Sequence, residues 1–293
     1  MPQTVRLEVE VVVVSVADET PRVLTVAGEA RLPSGDFVPA RDRTLELAAR
    51  RLIAEQTGGL GVGYLEQLYT FGDRFRDPRE VSGGPRRVSV GYLALVGVDA
   101  AAAAGEGVVW RDWYAFFPWE DARAEPVAAR TALAGVVAAT ASDERLRRWA
   151  RIVFGLDGSS WNPERVLERY ELLYELGTVA EAGAAGSTFG EPMVLDHRRI
   201  VATAIGRVRG KIAYRPIVFE LLPPVFTLSE LQRTVESLAG LRLHGPNFRR
   251  LVAETRVVEE TGGRRRTLGR PARTYRFRPE VLAERPDPGI GIR

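Results

Sequence analysis

The chain contains no cysteine and only two histidines among its 293 residues. The missing cysteine excludes disulfides and thiolate metal sites, and it fits a cytoplasmic protein. His197 and His244 alone argue against a histidine-rich metal centre or a His-based catalytic triad. The apolar stretch at 9–16 is far shorter than the roughly 20 residues of a membrane span. No basic leader precedes an apolar core at the N-terminus, so we expect neither a signal peptide nor a membrane partner.

The positive charge of the chain is concentrated near its C-terminus. Hydrophobic residues at 45% and charged residues at 27% are ordinary for a globular protein, and the length predicts two or three domains. The net charge is only +3, yet residues 241–285 contain twelve arginines and five acidic residues. A preference for arginine over lysine explains the residue type but not the clustering. The block is typical of a protein that binds a phosphate backbone.

The first 120 residues carry the pattern of an α/β domain. β-branched apolar residues open the chain, and Leu45, Ala48, Leu52 and Ile53 then recur at helical spacing before Gly58. The predicted elements are strands at 5–16, 22–27, 64–71 and 87–98, a helix over 44–56, loops at 32–36 and 100–107, and sheet or packed surface at 108–118.

The remaining residues predict helices, followed by a basic hairpin. Helices are expected over 126–154 and 163–182, and a small, Gly-rich connector over 180–190. Three further helices at 197–211, 227–239 and 246–255 precede strands at 256–260 and 274–278. This is the element order of a winged helix-turn-helix. We therefore predict an α/β domain over 1–120, a helical linker region over 121–190 and a winged helix-turn-helix over 191–293.

The last of these helices presents the residue types that read DNA bases. Asn247, Arg249 and Arg250 are expected to point outward, while Phe248 packs inward. Arginine pairs with guanine and asparagine with adenine in the major groove. Thr227 and Ser229 open the preceding helix, where they can cap amides or contact phosphates. Any single arginine could equally be a solvated surface charge, so the prediction depends on the ordered set.

Several motifs in the chain resemble NrtR-type, Nudix-related transcriptional regulators. The resemblance covers roughly 9–98 and 162–277. It implies a Nudix-like α/β/α sandwich fused to a winged helix, and a homodimer on a palindromic operator. It also implies repression of NAD-metabolism genes, with ADP-ribose or a related nucleotide as effector. The matching stretches are 65–73, 219–223, 226–228, 230–232, 247–250, 269–272 and 275–277.

The motif that makes a Nudix protein an enzyme is degenerate. Nudix hydrolases hold Mg²⁺ with glutamates in the motif Gly-x5-Glu-x7-Arg-Glu-U-x-Glu-Glu-x-Gly. Arg51 and Gly58 match its arginine and final glycine. A single remaining carboxylate is a poor cage for a divalent ion, so we predict no catalysis, no metal and no required cofactor. The four glutamate positions carry Arg43, Leu52, Glu55 and Gln56.

The substrate pocket of such a domain can persist as an effector site. Phe71 could stack on an adenine, or be a core aromatic at a strand end. Arg31 or Arg76 could pair with a pyrophosphate, and Glu55 could simply pair with Arg51 four residues earlier. The predicted effector-binding residues are Arg31, Ser34, Gly35, Arg51, Glu55, Phe71, Asp73 and Arg76. The predicted DNA-binding residues are Lys211, Thr227, Ser229, Gln232, Asn247, Arg249, Arg250, Arg264, Arg265, Arg266 and Arg270.

Two alternative functions remain open at this point. The first is an active pyrophosphatase for ADP-ribose or a nucleoside-diphosphate sugar, which the replaced glutamates argue against. The second is RNA binding by the basic tail, which offers only Phe248, Tyr275 and Phe277 as aromatic platforms for single strands.

Overall fold

A six-stranded sheet forms the scaffold of the N-terminal part of the chain. In this computed structural model the described residues are 4–26, 28–74, 76–124, 133–137, 139, 143–183, 189–266 and 270–291. The strands are β1 (Val5–Ala17), β2 (Thr20–Val26), β3 (Ser34–Asp36), β4 (Tyr64–Phe71), β5 (Arg86–Leu95) and β6 (Val108–Asp112). They lie in the order β4-β5-β1-β2-β6, with β3 paired to β1. β1 runs parallel to β5, and the other pairs are antiparallel.

One face of the sheet is covered by helix α1 (Leu45–Gln56). Thr44 caps this helix by accepting a hydrogen bond from the Leu47 amide, which satisfies an otherwise unpaired donor. Alternate residues of β1, among them Val9 and Val11, pack under it in a buried cluster. The even-numbered residues of β1 therefore point to the opposite face.

The opposite face and one end of the sheet are covered by further helices. The longest is α6 (His197–Tyr214), which runs from the sheet toward the C-terminal region and buries Ile200, Val201 and Ile205. The helices are α2 (Val98–Ala102), α3 (Trp113–Phe116), α4 (Glu144–Phe154), α5 (Val166–Glu175) and α6 (His197–Tyr214), with 3₁₀ turns at Pro78–Ser82, Pro118–Glu120, Ala180–Ala182 and Ile217–Leu221. Among the described residues, no helix has both the length and the apolar character needed to cross a membrane.

The C-terminal region is a helix pair followed by a two-stranded hairpin. Thr227 and Glu230 form a capping box at the start of the first helix. That helix ends at Gly240, whose φ of 69° lies in the left-handed region that glycine tolerates. The elements are α7 (Leu228–Ala239), α8 (Gly245–Thr255), β7 (Val258–Arg265), β8 (Ala272–Phe277) and α9 (Val281–Glu284).

A buried ion triad joins the middle helices to this region. Glu120 lies 2.5 Å from both Arg169 and Arg209, and all three side chains are at most 1% exposed. Arg209 also donates to the Leu238 carbonyl, and the Ala122 amide donates to the Gly240 carbonyl. A buried triad of this kind is stable only while every charge keeps its partners. The end of α7 is thereby fixed against α5 and α6.

Several predicted elements differ from the structure. The loop expected at 32–36 contains β3, because its backbone pairs with β1. The loop expected at 100–107 begins inside α2, and the segment at 108–118 leaves the sheet at Asp112 to form α3. The strand expected at 256–260 is longer than predicted, because β7 continues to Arg265. Its register shift between Glu260 and Arg264 accommodates the glycines in the strand.

The predicted helix over 126–154 is described only in part. Residues 133–137 are helical and α4 covers its end, while 125–132, 138 and 140–142 lie outside the described residues. The connector expected over 180–190 contains a 3₁₀ turn, and its residues 184–188 also lie outside the description. One hydrophobic cluster extends from Val12 to Ile290, so the boundaries at 120 and 190 stay predictions.

Candidate DNA-binding face and effector cleft

The winged part of the chain presents a concave, arginine-lined basin of about 880 Å³. It lies between the start of α7, the exposed side of α8 and the base of the hairpin. Ser229, Arg249 and Arg270, all predicted to bind DNA, line it together with Thr227. The structure therefore brings residues from three separate elements to one surface. Arg233 and Arg273 line the same basin and were not predicted.

The exposed side of α8 carries the predicted base-reading residues. Asn247, Arg249 and Arg250 are exposed, while Phe248 and Val252 are buried against the rest of the domain. Arg250 lies 3.9 Å from Glu254 in an exposed pair, which holds it only weakly. A helix with this division of faces can offer amide and guanidinium groups to base edges.

The arginines of the hairpin have different environments. Arg264 and Arg266 are exposed, and Arg270 is exposed at the far side of the hairpin loop. Arg265 instead donates to Glu230 at 2.5 Å and to the Val225 carbonyl at 2.8 Å. Arg265 therefore fixes the hairpin to the start of α7. Gly269, part of the matched motif, lies outside the described residues.

Three predicted DNA contacts have other partners in the structure. Lys211 is held by the Glu66 carboxylate at 2.7 Å and by the Tyr64 hydroxyl, both on β4. Gln232 donates to Glu236 and to the Leu243 carbonyl, which positions the connector between α7 and α8. Thr227 is buried, and its hydroxyl caps α7. These contacts within the protein explain the three side chains without any contact to a DNA phosphate.

The degenerate motif on α1 has exchanged metal ligands for packing and hydrogen bonds. Leu52 is buried, and a Cβ atom on Gly35 would come within 2.8 Å of its side chain. Gln56 accepts from the Ser34 amide and donates to the Ser34 carbonyl. Both positions are occupied by contacts that tie α1 to β3. Arg43, the third replacement, is exposed.

The surviving carboxylate, Glu55, is neutralised by two arginines. Arg41 lies 2.7 Å from one of its oxygens and Arg51 lies 3.0 Å from the other. The hydrogen bonds from Arg41 and then Arg51 lower the pKa of Glu55. Arg51 also binds Asp42 at 2.7 Å, and that hydrogen bond lowers the pKa of Asp42 to about 2. The described residues contain no group of three or more potential ligands placed to hold a metal ion.

The predicted effector residues fall into two groups separated by the sheet. Ser34, Gly35, Arg51 and Glu55 lie together on the α1 side. Phe71 belongs to the core on the α6 side and is 9% exposed. The structure therefore supports the interpretation of Phe71 as a core aromatic at a strand end.

Arg76 belongs to the second group and is already engaged. Its guanidinium donates to both oxygens of Asp196, to Glu10 and to the Phe71 carbonyl. Its side chain is 4% exposed, so pairing with a pyrophosphate would require these bonds to break. Arg31 and Asp73 are exposed and remain accessible.

Comparison with known proteins assigns the C-terminal region. Residues 218–277 match the sequence profile of the NrtR DNA-binding winged helix domain. Residues 218–277 are an NrtR-type winged helix domain. A curated relative, the ADPR responsive transcriptional repressor NtrR of Acinetobacter baylyi, is 39% identical over 85 residues, which are 29% of this chain. The aligned stretch spans 34% of that relative's length.

The whole chain shares its fold with solved structures. Shewanella oneidensis NrtR complexed with a 27mer DNA is 24% identical, with 94% of this chain and 95% of that chain covered, at a TM-score of 0.58. A MutT/nudix family protein from Enterococcus faecalis is 19% identical, with 95% and 88% covered, at a TM-score of 0.55. The chain therefore combines a Nudix fold with an NrtR-type winged helix, which confirms the predicted resemblance and fold class.

Proposed function

We propose that the chain is an ADP-ribose-responsive transcriptional repressor that binds a palindromic operator as a homodimer. The observation that carries this proposal is the arginine-lined basin on the NrtR-type winged helix domain. Exposed Arg249 and Arg270 line the basin, and Asn247 is also exposed on α8. DNA affinity comes from arginines on phosphates, and specificity comes from side chains on base edges. The regulated genes are those of NAD or nucleotide-sugar metabolism.

The Nudix fold supplies the effector site of the proposed repressor. The curated relative is named as ADPR responsive, and this chain offers a polar edge on the α1 side of its sheet. That edge contains Ser34, Gly35, Arg51 and Glu55, with Arg31 exposed nearby in sequence. The exposed guanidinium of Arg31 suits the pyrophosphate of ADP-ribose, since charge-assisted hydrogen bonds to phosphate are strong.

The proposed sensor does not hydrolyse its ligand. Leu52 packs on Gly35, Gln56 bonds to Ser34, and Glu55 is paired with Arg41 and Arg51. A hard divalent cation needs several oxygen ligands together, and these contacts use the positions that would supply them. ADP-ribose therefore acts as an effector, and no cofactor is required.

Release of DNA requires that ADP-ribose favour a geometry that does not fit the operator. A ligand shifts an equilibrium only through its different affinities for the two states. Helix α6 links the two ends of the molecule: His197, its first residue, accepts a hydrogen bond from the Leu32 amide, two residues before Ser34, and Arg209 near its end donates to the Leu238 carbonyl. Movement at the effector edge that displaces α6 would change the spacing of the two recognition helices in the dimer.

A mobility shift assay tests the proposal. The protein is mixed with the palindromic DNA upstream of its own gene neighbourhood, with and without ADP-ribose, and ADP-ribose consumption is followed in the presence of Mg²⁺. We expect salt-sensitive binding that ADP-ribose releases, with no ADP-ribose consumed. Mg²⁺-dependent consumption without specific DNA binding would instead identify a working pyrophosphatase.

A further inference from the structure

The hairpin turn between β1 and β2 places a carboxylate against the winged helix domain. Ala17 pairs with Thr20, so Asp18 and Glu19 form a two-residue turn. Their φ angles are 51° and 59°, in the left-handed region where such turns favour Gly and Asn. The conformation therefore gives no reason for a glutamate at position 19. Its contacts provide one.

The Glu19 side chain lies between two arginines of the winged helix region. One oxygen is 3.1 Å from Arg233 on α7, and the other is 3.8 Å from Arg242 in the connector before α8. The Glu19 backbone carbonyl accepts a hydrogen bond from Arg123, which anchors the turn at this place. Arg242 has a second and closer carboxylate in Glu236, at 3.1 Å. Arg233 has Glu19 as its one ion-pair partner among the described residues.

Arg233 lies on the boundary between two concave surfaces. One is lined by Asp18 and Glu19, and the other is the basin that contains Arg249 and Arg270. Its Nε donates to the Ser229 carbonyl at 3.3 Å, which holds the base of the guanidinium at the start of α7. Rotation of the outer guanidinium nitrogens about this point would turn them from Glu19 toward the basin.

The ion pair between Arg233 and Glu19 is weak enough for a DNA phosphate to replace the carboxylate. The two side chains are 49% and 42% exposed, and exposed pairs of this kind are individually weak. A DNA phosphate carries the same charge as the carboxylate and accepts the same hydrogen bonds. Breaking the pair therefore costs little once a phosphate is within reach.

On the basis of the proposed DNA-binding function, we infer that Arg233 is a DNA-phosphate contact for which Glu19 competes. In the free protein the Glu19 carboxylate, in the turn between β1 and β2, pairs with the Arg233 guanidinium. On DNA a backbone phosphate replaces the carboxylate. The β1–β2 hairpin thus lowers the DNA affinity of the winged helix through the charge of Glu19. The position of this hairpin sets how strongly Glu19 competes with the phosphate.

Four single variants and one double variant test the inference by fluorescence anisotropy on the operator duplex over a range of salt concentrations. E19Q removes the competing charge, and D18N is its matched control. Asp18 is in the same turn, but its one ion pair within the described part of the chain is with Arg22, at 3.2 Å. R233Q removes the proposed phosphate contact, and R147Q, an exposed arginine of α4, controls for the loss of one positive charge.

We expect E19Q to bind DNA about two- to fivefold more tightly than D18N, the range that corresponds to one exposed pair. R233Q should weaken binding and reduce the slope of log K against log salt by about 0.9, whereas R147Q should leave that slope unchanged. E19Q should have no further effect when it is combined with R233Q.

Three results would overturn the inference while leaving operator binding intact. They are equal affinities of E19Q and D18N, an unchanged salt slope in R233Q, and a full effect of E19Q in the R233Q background. If the unsubstituted protein shows no specific binding to the duplex, the proposed function itself is wrong and this inference is wrong with it.

Discussion

The side chain of Gln56 forms two hydrogen bonds with the backbone of Ser34. The Ser34 amide donates to Oε1 at 3.2 Å, and Nε2 donates to the Ser34 carbonyl at 2.8 Å. In the motif that Arg51 and Gly58 anchor, this position belongs to a metal-binding glutamate. The amide ties α1 to β3, and a carboxylate could make only one of the two bonds because it has no donor.

Restoring the glutamate should therefore destabilise the fold. Q56E keeps the acceptor for the Ser34 amide but places a carboxylate against the Ser34 carbonyl. We expect a loss of about 1–3 kcal/mol in the free energy of unfolding, measured by urea denaturation. Q67E is the control, because the exposed Gln67 accepts a hydrogen bond from Tyr92 and a glutamate can also accept it. Equal stabilities of the two variants would contradict this role of Gln56.

Removing the charge of Glu120 should have a larger effect. E120Q leaves Arg169 and Arg209 buried without a counter-charge, which typically costs about 3–5 kcal/mol. E168Q is the comparison: Glu168 is half exposed and lies 3.6 Å from Arg165, so its loss should cost less than about 1 kcal/mol. Denaturant unfolding of both variants checks the difference. A similar, small effect in both would show that the triad contributes little.

Acid should destabilise the protein through Glu10. Burial raises the pKa of this carboxyl, but the hydrogen bond to His197 and the charge of Arg76 outweigh burial and hold the pKa at about 2. A carboxyl whose pKa is lowered by folding stabilises the protein above its ordinary pKa of 4.5. That contribution, up to about 3 kcal/mol, is lost as the pH falls from about 4.5 to about 2.

The E10Q variant isolates this contribution. Its free energy of unfolding should fall less steeply than that of the unsubstituted protein between about pH 5 and about pH 2, the range that spans the two pKa values. Urea denaturation at each pH measures this difference. Parallel curves for the two proteins would mean that Glu10 titrates alike in the folded and unfolded states.

Arg249 should contribute to specificity as well as to affinity. It is exposed on α8 and lines the basin. R249A should weaken binding to the operator by about 1–3 kcal/mol and relax the preference for one base pair, since a bidentate contact to guanine is lost. Binding to a set of single-base operator variants measures both effects. Uniform weakening across all these sequences would instead identify a phosphate contact.

The sequence predicts best those elements whose signals are local. The strand at 64–71 is confirmed with its boundaries, and the helix over 44–56 is confirmed with Thr44 as its cap. Alternation, helical spacing and capping residues all act within a few positions of one another. The three helices and the hairpin of the C-terminal region follow from the same kind of signal.

The side-chain partners across the fold could not be predicted in this way. Arg76 and Asp196 are 120 positions apart, and their pairing depends on where α6 crosses the sheet. The even residues of β1 place Glu10 on the α6 face, which separates Arg76 from Arg51. The sequence predicts a single pocket for these two arginines, because no local signal shows that the sheet lies between them. The role of Arg233 likewise depends on a hairpin more than 200 positions earlier, a separation of 214.

The proposed function requires that a nucleotide on the Nudix fold and DNA on the winged helix affect each other's binding. Isothermal titration of ADP-ribose into the free protein and into its operator complex measures this coupling directly. Linkage requires that the two ADP-ribose affinities differ by the same factor by which ADP-ribose weakens DNA binding. We predict weaker ADP-ribose binding to the DNA complex, by that factor. Equal ADP-ribose affinities for the free and the DNA-bound protein would contradict the account.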